Sequence, residues 1–160
     1  MTTGGFNSKE LLELEDELVL AVLTNKEAVE IGECVVKIAH EKNLPIATRV
    51  YIGEWVVFHV SLPGSDAEND RWMGRKVRTV AAKGHSSMCL RILAEEAGIA
   101  EKDWYVQNNL AESEHAIHGG AFPLRVDGVH VGTVVVSGIP QEDDHRLAIE
   151  GIRLHLKNIK

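Results

Sequence analysis

The chain has 160 residues, 44% of them hydrophobic and 26% charged, the ordinary balance of a protein that folds around its own core. At this length folding buries about 70% of the unfolded surface, so no disulfide or metal staple is required. A net charge of −7 argues against the basic surface of a nucleic-acid-binding protein, and no apolar run approaches the roughly 18 residues of a membrane span.

The remaining bulk features are plain. Cys34 and Cys89 each lie in an apolar, helix-like run without a CxxC spacing, which reads as two buried reduced thiols. The N-terminal stretch MTTGGFNSKELLELEDEL has no basic region followed by a continuous apolar one, so no signal peptide is expected and the cytoplasm is the expected compartment. No repeat or low-complexity linker divides residues 1–160, and a single domain is expected.

In chain order, residues 8–17 have a short helical pattern and Leu18–Thr24 (LVLAVLT) reads as a buried strand. Thr24 and Glu27 stand at capping-box spacing, and Ala28, Ile31, Val35 and Ile38 then form one apolar stripe of a helix that Asn43-Leu44-Pro45 stops. Leu44, Ile46, Thr48, Val50 and Ile52 alternate as a strand, and Gly53-Glu54 makes a two-residue turn. On the return strand Val56, Phe58, Val60 and Leu62 share one side while Trp55, Val57 and His59 share the other. Both sides carry apolar groups, so helices or a partner subunit are expected on each face of the sheet.

Ser65 and Glu68 suggest a second capping box, opening a helix that ends at Gly84. Ser86-Ser87 cap the helix MCLRILAEEAG, which Gly98 ends, and residues 99–117 read as a polar connection. Ala121–Val126 and Val129–Ser137 form a hairpin around Asp127-Gly128. A last helix starts after Pro140 with Glu142, Asp143 and Asp144 in its first turn and Lys157 and Lys160 at its end, as the helix dipole favours. The expected fold class is α+β, with a largely antiparallel five-stranded sheet flanked by helices, and not a doubly wound nucleotide fold.

The stretch GGAFPLRVDGVHVGTVVVSG, followed by QEDDH, resembles the GlcG/HbpS-like family of haem-binding or haem-degrading-domain proteins. FHVSLPG, ENDRWMGRKVRTV and GHSS look like one particular branch of it, and the resemblance covers about residues 15–157. Membership implies a profilin-like α/β/α sandwich and symmetric homo-oligomers. The chain departs from the broader family at GTVVVSG, where a smaller mid-strand residue is more usual, and AESEHAIHGG is peculiar to the branch.

The candidate site centres on His118, Gly119 and Gly120. The glycines admit close backbone approach, either of a ligand or of a strand entering beneath a helix. His118 supplies an imidazole that can ligate iron or move a proton near neutral pH. His145, at the start of the last helix, is expected to join His118 across the second hairpin, and His59 to reach the same cleft or a subunit interface. Arg71, Arg75 and Arg78 share a helical stripe, with Lys76 and Lys83 beside it. Arg75 stands as a candidate for a carboxylate, phosphate or haem propionate, against a solvated face or subunit salt bridges. Ser86 and Ser87 are first of all caps, whose amides can also hold an anion. No covalent haem signature such as CxxCH and no nucleophile elbow is present.

Three readings follow. The leading one is a cytoplasmic, homo-oligomeric binder of a small anionic ligand, with haem a candidate. The second is a haem- or cofactor-degrading enzyme, and the third a non-catalytic assembly or partner-binding module.

Overall fold

Two hairpins supply the whole sheet. In the computed structural model, which describes residues 1–160, a 3-10 turn (Thr3–Gly5) precedes α1 (Ser8–Glu17), α2 (Asn25–Glu41), β1 (Ala47–Ile52) and β2 (Trp55–Ser61). There follow α3 (Ala67–Lys83), α4 (Ser87–Glu96), α5 (Glu101–Gln107), β3 (Ala121–Val126), β4 (Val129–Ser137) and α6 (Gln141–Asn158). The strands lie in the order β2-β1-β4-β3, every neighbouring pair antiparallel. The second hairpin turns at Asp127 and Gly128, both at positive φ as a tight two-residue turn requires.

The sheet is covered on both faces. Ala28, Ile31 and Val35 of α2 and Leu147, Ala148 and Ile152 of α6 pack on Ile46, Val50, Phe122, Leu124 and Val134. On the other face Met73, Val77 and Val80 of α3 meet Ala47, Tyr51, Ala121 and Val135. Each fully buried aliphatic side chain contributes about 1.5–3 kcal/mol, so the two stripes hold the layers together. No helix is long and apolar enough to cross a membrane.

Four expectations change. The sheet has four strands, not five, because Leu18–Thr24 contributes one isolated bridge, Leu20 to Val126. Leu18 and Leu20 are buried while Val19 and Val22 are exposed, so this run puts Leu18 and Leu20 into the core, with Leu23 packed at its margin, before turning into the cap of α2. The box at the start of α3 is shifted by one residue: Asp66 accepts from Glu68 N at 2.9 Å, and the Asn69 side chain accepts from Asp66 N at 2.9 Å. Ser65 donates instead to the Leu62 carbonyl.

The connection 99–117 contains α5, whose Trp104 and Tyr105 are buried; seven residues are too few for a clear helical period. Finally, β2 is an edge strand. Its partner register skips Val57, a bulge that puts Val56 opposite Tyr51 and Phe58 opposite Val50, so the two no longer share a side. Trp55 remains 59% and Val56 38% exposed, and within one chain no helix covers them.

Candidate functional site

His118 is held from behind. Arg91 donates from Nε to the Ile117 carbonyl at 2.9 Å, and Tyr105 Oη accepts from Ile117 N at 2.9 Å. Glu101 ties these two together, taking Arg91 at 2.7 Å and the Tyr105 hydroxyl at 3.0 Å. Its Oε2 also stands 3.7 Å from His118 Nδ1, the nearest acceptor to a ring nitrogen that is buried without a bond. The carboxylate favours the proton on Nδ1, which leaves the Nε2 lone pair available. Trp72 meets the ring edge to face at a centroid distance of 4.7 Å. Burial pushes the His118 pKa down to about 4 against the pull of Glu101, with Arg91, Lys76 and Arg75 adding to the lowering. The imidazole is therefore neutral at pH 7.

Beyond His118 the two glycines bring β3 in under the start of α6. Gly119 N donates to Gln141 Oε1 at 3.0 Å, and a Cβ there would stand 2.5 Å from the Gln141 carbonyl oxygen. Gly120 has φ +137°, a region that favours glycine. A Cβ on it would overlap the Val136 carbonyl and come within 2.8 Å of Lys76 Nζ. The glycines are thus a strand entrance, and the space they leave is occupied on one side by a buried lysine.

That lysine, with Asp144, is what sequence reasoning missed. Lys76 Nζ donates to the Val136 carbonyl at 3.0 Å and to Asp144 Oδ2 at 3.1 Å, each side chain only 3% exposed. Asp144 Oδ1 accepts from Ile139 N at 3.2 Å. Burial lowers the lysine pKa and raises that of Asp144 to about 6, Lys76 opposing the rise. The available signal was the period: Lys76 lies on the stripe of Met73, Val77 and Val80, one face of α3, and that face is buried.

The pair lines a cavity of about 240 Å³, with Asn69, Trp72, His118, Ser137, Gly138, Ile139 and Gln141 as its other walls. Several donors are left over there. Gln141 uses its carbonyl on Gly119, leaving its NH2 free; Ser137 accepts from Asn69 at 3.3 Å, leaving its hydroxyl proton free; Lys76 has a third N–H. A larger groove, about 420 Å³, runs under α3 at the hairpin ends, lined by Tyr51, Gly53, Val77 and Gly132 among others. None of the candidate site residues His118, Gly119, Gly120, His145, His59, Arg75, Ser86 and Ser87 reaches it.

The remaining expected site residues lie elsewhere. His145 follows Asp144 on α6 but points about 100° around the helix axis. It packs against Phe6 at 5.2 Å and Phe122 at 6.4 Å, with both ring nitrogens unbonded. Burial brings its pKa down to about 3, and it borders a separate cavity between α1 and α6, so it does not join His118. Arg75 lies over Trp72 at 4.4 Å and donates to the Glu112 carbonyl at 2.9 Å, outside the cavity. Ser86 caps α4 by accepting from Cys89 N, and Ser87 accepts from Ala121 N at 3.1 Å; both are buried in these structural bonds. His59, on β2, accepts from Arg49 Nε at 3.3 Å and stands 3.5 Å from Asp70. His115 leans on the Ala111 carbonyl, and no three His, Cys, Asp or Glu residues are grouped to hold a metal.

Fold and site together define an α/β/α sandwich with a small polar cavity where its last hairpin enters beneath its last helix. Residues 23–153 match the family model described as haem degrading protein HbpS-like, and the chain belongs to that family. A UPF0303 protein of Streptomyces coelicolor is 38% identical over 144 residues, spanning 89% of each chain. Among solved structures, the Ybr137w protein superposes with a TM-score of 0.85 at 23% identity, covering 98% of this chain and 91% of that one. A complex of PduOC with haem superposes at 0.69 and 17% identity, covering 82% and 94%. At these identities the two structures share the fold.

Proposed function

We propose that this protein binds a small carboxylate-bearing molecule in the cavity between α3 and α6, and does so as a cytoplasmic homo-oligomer. The observation that carries the reading is the surplus of donors there: the Gln141 amide, the Ser137 hydroxyl and the third Lys76 N–H, beside a neutral His118. These spare N–H and O–H groups converge on one small cavity, and a ligand with several acceptor oxygens can engage them together. Arg91, Lys76 and Arg75 stand near enough to His118 to oppose the pull of the Glu101 carboxylate, and Lys76 brings its cation to the cavity wall.

The family description and the PduOC–haem complex favour haem as a second reading. His118 Nε2 is the one ring nitrogen at the cavity suited to iron. The volume of about 240 Å³, however, is below the roughly 300–1,000 Å³ of pockets that enclose drug-sized ligands, and Arg75 is turned away. A haem does not fit inside the cavity of about 240 Å³ in one chain.

Thermal-shift and calorimetric titration with small mono- and dicarboxylates tests the first reading, and a haem titration read at the Soret band tests the second. A ligand at 100 times its Kd adds about 2.7 kcal/mol of stability. No shift with any carboxylate, together with a stoichiometric Soret change lost in His118→Ala, would replace the first reading by the second.

A further inference from the structure

We propose that Lys76 is a covalent amine, forming an imine with the carbonyl carbon of a small 2-oxo acid held in this cavity. The inference rests on the carboxylate-binding reading and deepens it. Three observations converge on the amine. Lys76 Nζ is bonded to the Val136 carbonyl and to Asp144, has one N–H left over, and belongs to a residue that lines the cavity. Asp144, itself anchored by Ile139 N, is a proton acceptor 3.1 Å away. Gly120 makes the room that Nζ itself occupies at the cavity wall, since a Cβ there would sit 2.8 Å from it.

Transfer of one proton from the Lys76 ammonium to Asp144 turns a buried ion pair into two neutral groups, which a low-dielectric interior favours. Burial already pushes both groups in that direction, the lysine down and the carboxyl up to about 6. The freed amine adds to the carbonyl carbon, and the carbonyl oxygen takes the proton back from Asp144. The nitrogen of the resulting carbinolamine gives one proton to the neutral His118, which passes it to the departing hydroxyl; water then leaves, the C–O bond breaking as the C=N bond forms, and His118 ends neutral as it began. The net change is ammonium plus ketone to iminium plus water, with nothing oxidised or reduced. The iminium retains the positive charge that Asp144 was already placed to balance. The acid's carboxylate accepts from Gln141 and Ser137, the donors left over in the wall.

The test is reductive trapping. The protein is incubated with pyruvate, glyoxylate or 2-oxoglutarate and sodium cyanoborohydride, and read by intact mass and peptide mapping, with calorimetry of the same acids in parallel. The expected result is one adduct per chain on the Lys76 peptide, at least about tenfold faster than on any other lysine, and absent in Lys76→Arg. If that variant does not fold, mapping of the wild-type adduct decides alone. Binding without an adduct, or adducts spread evenly over surface lysines, overturns the imine and leaves carboxylate binding standing. Neither binding nor adduct overturns both.

Discussion

His118 and His145 show how one residue type takes opposite roles through its surroundings. His118 has Glu101 behind it and a cavity in front, whereas His145 is enclosed by Phe6 and Phe122 with nothing to bond. His118→Ala is expected to weaken carboxylate binding at least about tenfold, roughly 1.4 kcal/mol, with the fold intact; calorimetry and the melting curve check both halves. Both imidazoles have pKa values depressed from 6.5, to about 4 for His118 and about 3 for His145. The unfolded chain takes up their protons first, so each costs stability as pH falls from 6.5 toward its folded pKa. Asp144 works the other way. Its pKa is raised from 3.8 to about 6, so the folded state holds a proton across that window and gains stability as pH falls through it. His145→Leu should therefore flatten the acid limb between pH 6.5 and 3, and raise stability at pH 7 by about 1 kcal/mol by removing two unbonded polar atoms. Melting temperature against pH for the two proteins is the measurement; an unchanged acid limb would refute the assignment.

At the scale of elements, the entry of β3 under α6 depends on two residues without side chains. Gly120→Val meets both a positive-φ strain and the Val136 carbonyl, and a loss of about 3 kcal/mol or more is expected in urea melts. Gly119→Ala meets the Gln141 carbonyl and the Met88 methyl, each at 2.5 Å; the methyl can swing aside and the helix backbone cannot. It should also lose stability, but less than Gly120→Val, because Gly119 is not among the positive-φ residues. Equal tolerance at both positions would mean that β3 and α6 are less tightly seated than these distances require.

For the whole molecule, the pair Lys76–Asp144 joins the layer of α3 to the layer of α6 across the end of β4. Asp144→Asn leaves a buried ammonium without its counter-charge and should cost about 3–5 kcal/mol, whereas Lys76→Met with Asp144→Leu should be much milder. Chemical denaturation of the single and double variants separates the cases. The other unfinished feature is the edge of the sheet, where Trp55 and Val56 stand exposed on a strand whose outer side has no partner. Proteins cover such edges, and a second copy of the chain is the expected cover. Light scattering after size exclusion should give a particle heavier than 17.6 kDa, and Trp55→Glu should shift it toward that value. A wild-type monomer at micromolar concentration would refute the expectation.

Much of this organisation was legible in the chain because it depends on neighbours in sequence. The stripe of α2, the Thr24–Glu27 cap, the Asp127-Gly128 turn and the Gly84 terminus are local patterns, and each is present as an element or a bond. The motifs around GGAFPLRV likewise pointed to the family that the comparisons show. Local pattern misled where an interaction at long range outweighed it. LVLAVLT has strand composition, yet the sheet meets it at one bridge only; the alternation of β2 breaks at a bulge set by its register with β1. The site was half legible: His118 and the glycines stood out by type, but the rest of their cavity comes from α3, β4 and α6, distant in sequence. Sequence by itself determined which residues begin, end and stripe the helices, since those depend on spacings of two to four positions. Only the tertiary structure decided that Lys76 is buried on Asp144 and that His145 faces away from His118, because burial and direction are properties of packed layers rather than of neighbouring residues.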